Sequence, residues 1–171
     1  MALTAAQLTT LKADIAASEF SGLPLNDDSS FAIASAYNLP ASPDFWVWRT
    51  SVSKAEYHHA TSVDGTVFNF TGAGYITRSA GERECWETLF NGDGFANPSL
   101  ANVRQAVADI FSGATAPAPA NRTHLLTVSR RKATRFEKLF ATGTGSTGSP
   151  ATMVLEGAVT YGDVSTARNL P

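Results

Sequence analysis

A helix-start pattern recurs along this chain and limits what the chain can fold into. Ser or Thr is followed three residues later by Gln or Glu, which is the spacing of a capping box. Apolar side chains then repeat at helical intervals. Predicted helix starts carry this pattern at Thr4 with Gln7, Ser53 with Glu56, and Ser79 with Glu82. The pattern predicts a mainly α fold, a helical bundle formed by one domain over residues 1–171.

Other local signals complete the predicted layout. Asn97 and Pro98 suit the cap and first position of a helix, and Asp64-Gly65 between β-prone residues predicts a small β-hairpin over 61–70. Asn91 to Gly94 would end the preceding helix. Helices are predicted over residues 4–18, 29–37, 53–59, 79–90, 97–113, 121–140 and 164–168.

The composition bounds the classes of protein to consider. Charged residues make up 16% of the chain, against about a quarter in an average domain, so we expect other protein to cover part of the surface. The net charge of −2 implies no global attraction to nucleic acid or acidic lipid. Cys85 is the only cysteine, which suits a reducing cytosol. No signal peptide or membrane-spanning run is expected, because the longest apolar stretches fall short of about 20 residues.

Residues that could carry catalysis lack their usual partners. His58 and His59 would point about 100° apart on a helix, and no carboxylate stands at a metal-ligand spacing. Glycines in 143–148 follow a predicted helix rather than a strand, so they do not form a phosphate loop. Glu84 and Glu87 indicate a solvated or salt-bridged face. We therefore expect no catalytic, cofactor or metal site, and no enzyme.

Basic residues concentrate between Arg122 and Lys138, where six stand against one acid, Glu137. The predicted helix over 121–140 would place Arg131 and Arg135 one turn apart, in a basic stripe. Three interpretations stay open: an ordinary solvated face, a face that pairs with acids of a neighbouring subunit, or a surface that contacts DNA phosphates. The candidate contact residues are Arg130, Arg131, Lys132, Arg135 and Lys138.

Two further segments are candidates for contacts between subunits. A flexible loop and arm is predicted over about 141–160, in which 152–159 forms a strand or an extended arm. Its candidate interface residues are Gly143, Gly145, Gly148, Pro150, Met153 and Leu155. The aromatic residues Phe45, Trp46 and Trp48 either fill the core beside the Trp86 helix or anchor an interface.

Five stretches between Asn38 and Asn169 together resemble the head-to-tail adaptor, or connector, proteins of tailed bacteriophages. They read NLPASPDFWVWRTSVSKAEY, TSVDGTVFNFTGAGYITRSAGERECW, NPSLANVRQAVADIFSG, NRTHLLTVSRRKATRFEKLFATGTGS and SPATMVLEGAVTYGDVSTARN. The resemblance implies a structural virion protein without catalytic residues. It would be made in the host cytoplasm and would form a ring, typically dodecameric, beneath the portal. That ring would join capsid to tail in the neck, around the channel through which double-stranded DNA passes.

The resemblance also assigns roles to the candidate residues. The basic residues would face DNA in the channel or an acidic portal surface, and the 143–155 segment would reach a neighbouring subunit or the portal. The partners of the whole protein would be further copies of the chain, the portal, a downstream neck or tail protein, and the DNA. Alternative functions are another neck or tail ring, such as a tail terminator or head-closure protein, and a DNA-binding protein with salt-dependent affinity.

Overall fold

Helices dominate the part of the chain that the computed structural model describes, which is residues 2–62, 64–69, 72–90 and 94–171. Nine helices lie within those ranges. The mainly α prediction is confirmed. None of the described helices is both long and apolar enough to cross a membrane. The α-helices are α1 Ala5–Ala16, α2 Asp27–Tyr37, α3 Lys54–His59, α4 Ala80–Thr88, α5 Ala101–Ile110, α6 Ala118–Val128, α7 Arg135–Leu139 and α8 Tyr161–Arg168, and a π-helix spans Gly72–Ile76.

The strands are short and join in small antiparallel pairs. β2 pairs with β3, with Val52 opposite Ala96, and β5 pairs with β6, with Ala141 opposite Met153. Contacts divide the chain into unit 1, Met1–Val47 with Lys132–Pro171, and unit 2, Trp48–Arg131. The strands are β1 Trp46–Trp48, β2 Val52–Ser53, β3 Phe95–Ala96, β4 Arg130–Lys132, β5 Ala141–Thr142 and β6 Thr152–Met153.

Unit 1 has an aliphatic core built by helices that are distant in sequence. α1 and α2 both pack on α8, because each presents apolar residues spaced three or four apart to the same interior. Asn38 fixes the end of α2, since its side-chain Nδ2 donates to Val159 O at 2.9 Å and its Oδ1 accepts from Val159 N at 3.0 Å. The buried core residues include Leu11, Ile15, Ile33, Tyr37, Leu155, Val159 and Val164.

Unit 2 packs aromatic rings against α5 and α6. The fully buried ring of Trp86 lies 4.9 Å from Phe90 and 6.0 Å from both Tyr57 and Phe111, centroid to centroid. His124 is also fully buried, with its Nε2 2.8 Å from the Tyr57 carbonyl oxygen. This histidine is thus bonded to a backbone carbonyl that is distant in the sequence, as a structural residue of the core.

Helix starts follow the sequence signals closely. The capping boxes at Thr4, Ser53 and Ser79 all form, so the predicted helices that begin there are confirmed. Two further boxes that we did not predict begin at Thr134 and Thr160. The second one starts α8 three residues before the predicted position.

Other predicted boundaries are wrong. α2 begins two residues early because Asn26 accepts from Ser29 N at 2.9 Å. α5 begins at Ala101 rather than near Pro98, since Asn97 Oδ1 accepts instead from the Ser99 backbone at 3.1 Å. In both cases the helix start depends on which backbone N–H group the asparagine side chain binds.

The predicted hairpin over 61–70 is not a strand pair at the positions that are described there, 61–62 and 64–69. Gly65 has a φ of +80°, and its N–H donates to Ser62 O at 2.9 Å, so the Asp-Gly signal correctly marks a turn. Val63 and Phe70 lie outside the described residues, as does the helix end predicted at 91–93.

The long helix predicted over 121–140 is also wrong, because the chain leaves the helix at Ser129. The Ser129 hydroxyl donates back to Leu125 O at 2.7 Å, and the Ser129 carbonyl accepts from Arg49 N at 2.8 Å. Residues 130–132 form β4. Thr134 then starts the separate helix α7 by accepting from Glu137 N at 3.1 Å.

Candidate functional site

A groove of about 790 Å³ opens on unit 1 where α7 meets the end of α2. It has two cations and two carboxylates beside an apolar wall. Because α7 spaces its two cations three residues apart, Arg135 and Lys138 share one face of that helix. The lining residues are Asp14, Glu19, Ala36, Leu39, Pro40, Ala41, Ser42, Arg135, Lys138 and Leu139.

Arg135 is held by two carboxylates and two aromatic rings. Its Nη1 lies 2.6 Å from Glu19 Oε1, and its Nη2 lies 3.8 Å from Asp14 Oδ2. The guanidinium carbon sits 4.5 Å from the Tyr37 ring centroid and 5.3 Å from that of Phe20, within cation–π range. The hydrogen bond from Arg135 lowers the pKa of Glu19, and the same bond raises the pKa of Arg135.

Tyr37 extends this cluster toward the core. Its hydroxyl donates to Asp14 Oδ2. Burial raises the pKa of Tyr37, and the bond to the Asp14 carboxylate raises it further. The Asp14 carboxylate is therefore shared between a neutral phenol and a guanidinium, which holds the Arg135 side of the groove in one arrangement.

Lys138 differs from Arg135 in its partners. Its ammonium lies 5.6 Å from the Phe45 ring centroid, and it forms no ion pair with any described residue. The side chain is half-buried. The groove therefore presents one cation that remains available to an anionic group, next to one that is already paired.

The other basic candidates do not lie on this helix, so the predicted basic stripe of Arg131 with Arg135 and Lys138 on one helix is wrong. Arg130, Arg131 and Lys132 lie on β4, not on α7. Lys132 Nζ is 2.7 Å from Asp44 Oδ2, and Arg130 Nη2 donates to Thr127 Oγ1 at 3.3 Å. The break in the predicted helix at Ser129 separates the two groups.

The glycine-rich loop lies between β5 and β6 and is held by the β1 segment. Trp46 N donates to Gly145 O at 2.7 Å, and Gly145 packs so closely on Phe45 that a Cβ there would lie 2.2 Å from the ring. Gly143 and Gly148 are exposed, whereas Pro150 is buried.

The segment after this loop does not extend away from the chain as the predicted arm would. The predicted strand forms only over Thr152–Met153. Met153 and Leu155 are buried within unit 1, where they are 9% and 5% exposed. These two side chains therefore contribute to the core of the chain that carries them.

The aromatic residues Phe45, Trp46 and Trp48 do not pack together in one core. Phe45 packs on the small cluster around Val47 in unit 1, and Trp48 in unit 2 stacks with the Arg104 guanidinium at 4.7 Å. The buried cluster around Trp86 includes neither Trp46 nor Trp48, so these two tryptophans do not fill that core as one interpretation expected.

The acidic half of the groove could not be identified from the sequence. Glu19 lies 116 residues from its partner Arg135, and no local motif marks such a pairing. Among the described residues, no group of three or more His, Cys, Asp or Glu side chains could hold a metal ion. The chain matches no known protein family, no curated protein and no solved structure.

Proposed function

We propose that this chain is a structural subunit of the neck of a tailed bacteriophage, which forms the head-to-tail adaptor ring beneath the portal. The five stretches between Asn38 and Asn169 support the proposal, and the mainly helical fold is compatible with it. The finer architecture that we propose is a helical bundle with the β5–β6 hairpin and its loop directed toward a neighbouring subunit or the portal. Copies of the chain, the portal and a downstream neck or tail protein are its partners.

The observation that carries the assembly role is an aromatic patch on unit 1. Phe31 and Tyr161 stack with their centroids 4.2 Å apart, yet they remain 53% and 45% exposed. Aromatic residues are enriched where protein surfaces meet. A chain with only 16% charged residues that also exposes stacked rings has a surface suited to permanent contact with other protein.

In this proposal the DNA passes through the channel and is not the main ligand of the chain. Lys132 and Arg135 already pair with Asp44 and Glu19, which limits the attraction they exert on phosphates. A protein whose main function is DNA binding would instead concentrate unpaired cations on one face. The structure thus supports the ring subunit better than the DNA-binding alternative.

Electron microscopy and native mass spectrometry of the purified chain, alone and with the portal protein of the same phage, test the proposal. We expect rings, or monomers that form a ring on the portal. Phe31→Ala combined with Tyr161→Ala should weaken assembly, whereas Phe95→Ala, which removes a single ring of similar exposure (51%), should have a smaller effect. A wild-type chain that forms no ring in either condition would contradict the proposal.

A further inference from the structure

We propose that the groove of unit 1 receives the acidic start of α2 from a second copy of the chain, with Lys138 of one copy paired to Asp27 or Asp28 of the next. This inference rests on the proposed ring function and names the contact that would build the ring. Its two sides are both present on every copy. The charge, exposure and position of each side support the contact.

The receiving side combines one available cation with an apolar wall, and its two carboxylates, Asp14 and Glu19, are both directed to Arg135. Lys138 forms no ion pair with a described residue, whereas its neighbour Arg135 is held by Glu19 at 2.6 Å. Leu39 lines the same groove and is 61% exposed. An occupant that matches this surface carries a carboxylate for Lys138 and an adjoining aliphatic side chain for Leu39.

The start of α2 has that combination. Asp27 and Asp28 are exposed and form no ion pair with any described residue. Leu25, two residues earlier, is 69% exposed. Because Asn26 caps the helix through Ser29 N, the carboxylates are presented from an ordered helix start, which reduces the entropy that binding would cost.

The positions of the two sides predict how copies would join. The acidic side lies at the first residues of α2, and the groove includes Ala36 and Leu39 at its other end. An 11-residue helix is about 16 Å long. The start of α2 therefore cannot reach the groove of the same copy unless α2 unfolds. Complementary patches at opposite ends of a rigid element produce a head-to-tail contact, which closes into a ring when the rotation permits.

A charge exchange tests the contact in the full chain. Lys138→Glu alone, and Asp27→Lys with Asp28→Lys, should each weaken self-association about tenfold or more, because like charges then meet across the contact. Combining all three substitutions in one chain should restore association to within about threefold of wild type. An equimolar mixture of the two variants should also associate, since each groove then finds an opposite charge on the other variant.

Control variants reverse single charges of each sign on α4, a helix of unit 2. Arg83→Glu and Glu84→Lys should leave association at the wild-type level, and circular dichroism should show the same helix content in every variant. Carbodiimide treatment of mixed isotope-labelled and unlabelled wild-type chains should give an amide cross-link between Lys138 of one copy and Asp27 or Asp28 of another.

The outcomes separate this contact from the ring function itself. Rings that form equally well with Lys138→Glu, or whose cross-links between copies omit Lys138, overturn the contact and leave the adaptor proposal standing. Chains that show no association and no cross-link between copies, alone or with the portal protein, overturn both proposals.

Discussion

The cores of the two units differ in how the chain forms them and in the types of residue they contain. Unit 1 joins two segments that are far apart in the chain, and its core is mostly aliphatic, around Leu11, Ile33 and Val164. Unit 2 is one continuous segment, and five of the twelve buried residues in its core are aromatic, grouped around Tyr57 and Trp86. Unit 1 therefore depends on contacts between distant residues, and unit 2 depends on how a few large rings fit together.

Both units bury polar side chains, and unit 1 also pairs charged groups in an open groove. Unit 2 buries His124 and Asn121 completely and bonds both to backbone groups, so it uses polar side chains to fix its interior. Unit 1 buries Glu137, which accepts from Thr134 N at 3.0 Å and from Gly157 N at 3.3 Å. It also has an open groove where Arg135 pairs with Glu19. Both units therefore fix their interiors with bonded polar side chains, and the groove gives unit 1 a surface that can bind a partner.

The largest predicted effect concerns the aromatic core. Trp86→Ala should lower the free energy of unfolding by about 3–5 kcal/mol, because it removes a fully buried ring and leaves a cavity. The Trp86 indole N–H has no hydrogen-bond partner among the described residues, so the loss is one of packing. Urea denaturation followed by circular dichroism measures it. Trp48→Ala, at a half-buried position, should cost clearly less, and equal losses would contradict the contrast.

A glycine pair tests how firmly unit 1 holds its loop. Gly145→Ala should cost about 2 kcal/mol of unfolding free energy, because its φ of +65° disfavours a side chain and the new Cβ would overlap the Phe45 ring. Gly148→Ala should change stability by less than about 0.5 kcal/mol, since nothing lies within 4 Å of its Cβ position. Thermal denaturation of both variants compares them, and equal stabilities would indicate that the loop is not held on Phe45.

Helix caps provide a third comparison across the units. Ser53→Ala in unit 2 should cost about 1 kcal/mol, and Thr4→Ala in unit 1 should cost less. The reason is that Ser53 is half-buried and its partner Glu56 also binds Arg49 at 2.6 Å, whereas Thr4 is exposed. Urea denaturation of the two variants measures the difference. A larger loss from Thr4→Ala would reverse this ranking.

Local signals explain what the sequence could predict. Capping boxes at Thr4, Ser53 and Ser79 located three helices, because a cap depends on residues only three apart. The same rule applied at Thr134 would have separated α7 from α6. The apolar and basic spacing between 121 and 140 favoured one helix instead, since periodicity alone does not reveal that Ser129 accepts from Arg49, a residue 80 positions earlier.

The groove shows the limit of such signals. Arg135 and Lys138 were identified as candidates because they belong to a basic run, and both line the groove. Asp14 and Glu19 were not, because each meets Arg135 only after α1 and α7 pack in one unit. Sequence therefore indicated where cations concentrate, and the tertiary structure determined which of them is paired.

The smallest predicted effect is a difference in acid sensitivity, for which Glu56 is the best-defined case. Burial raises the pKa of Glu56, but bonds from Ser53 N at 2.9 Å and from Arg49 at 2.6 Å outweigh it, and the net pKa lies below the ordinary 4.5. A lowered folded-state pKa stabilises the fold above the unfolded-state pKa, and this contribution is lost as the pH falls through the folded value.

Unit 2 should therefore lose stability before unit 1 as the pH falls from about 6 to about 3. Hydrogen bonds also lower the pKa of Asp64, Glu82 and Glu87 in unit 2 and of Glu19 in unit 1. Asp64, Glu87 and Glu19 are exposed and so contribute little, which leaves Glu56 and Glu82, both in unit 2. Amide hydrogen exchange, followed residue by residue, compares the two units at each pH. Glu56→Gln should reduce the difference between them, because glutamine does not titrate. Loss of protection first in α1, α2 and α8, which belong to unit 1, would contradict this prediction.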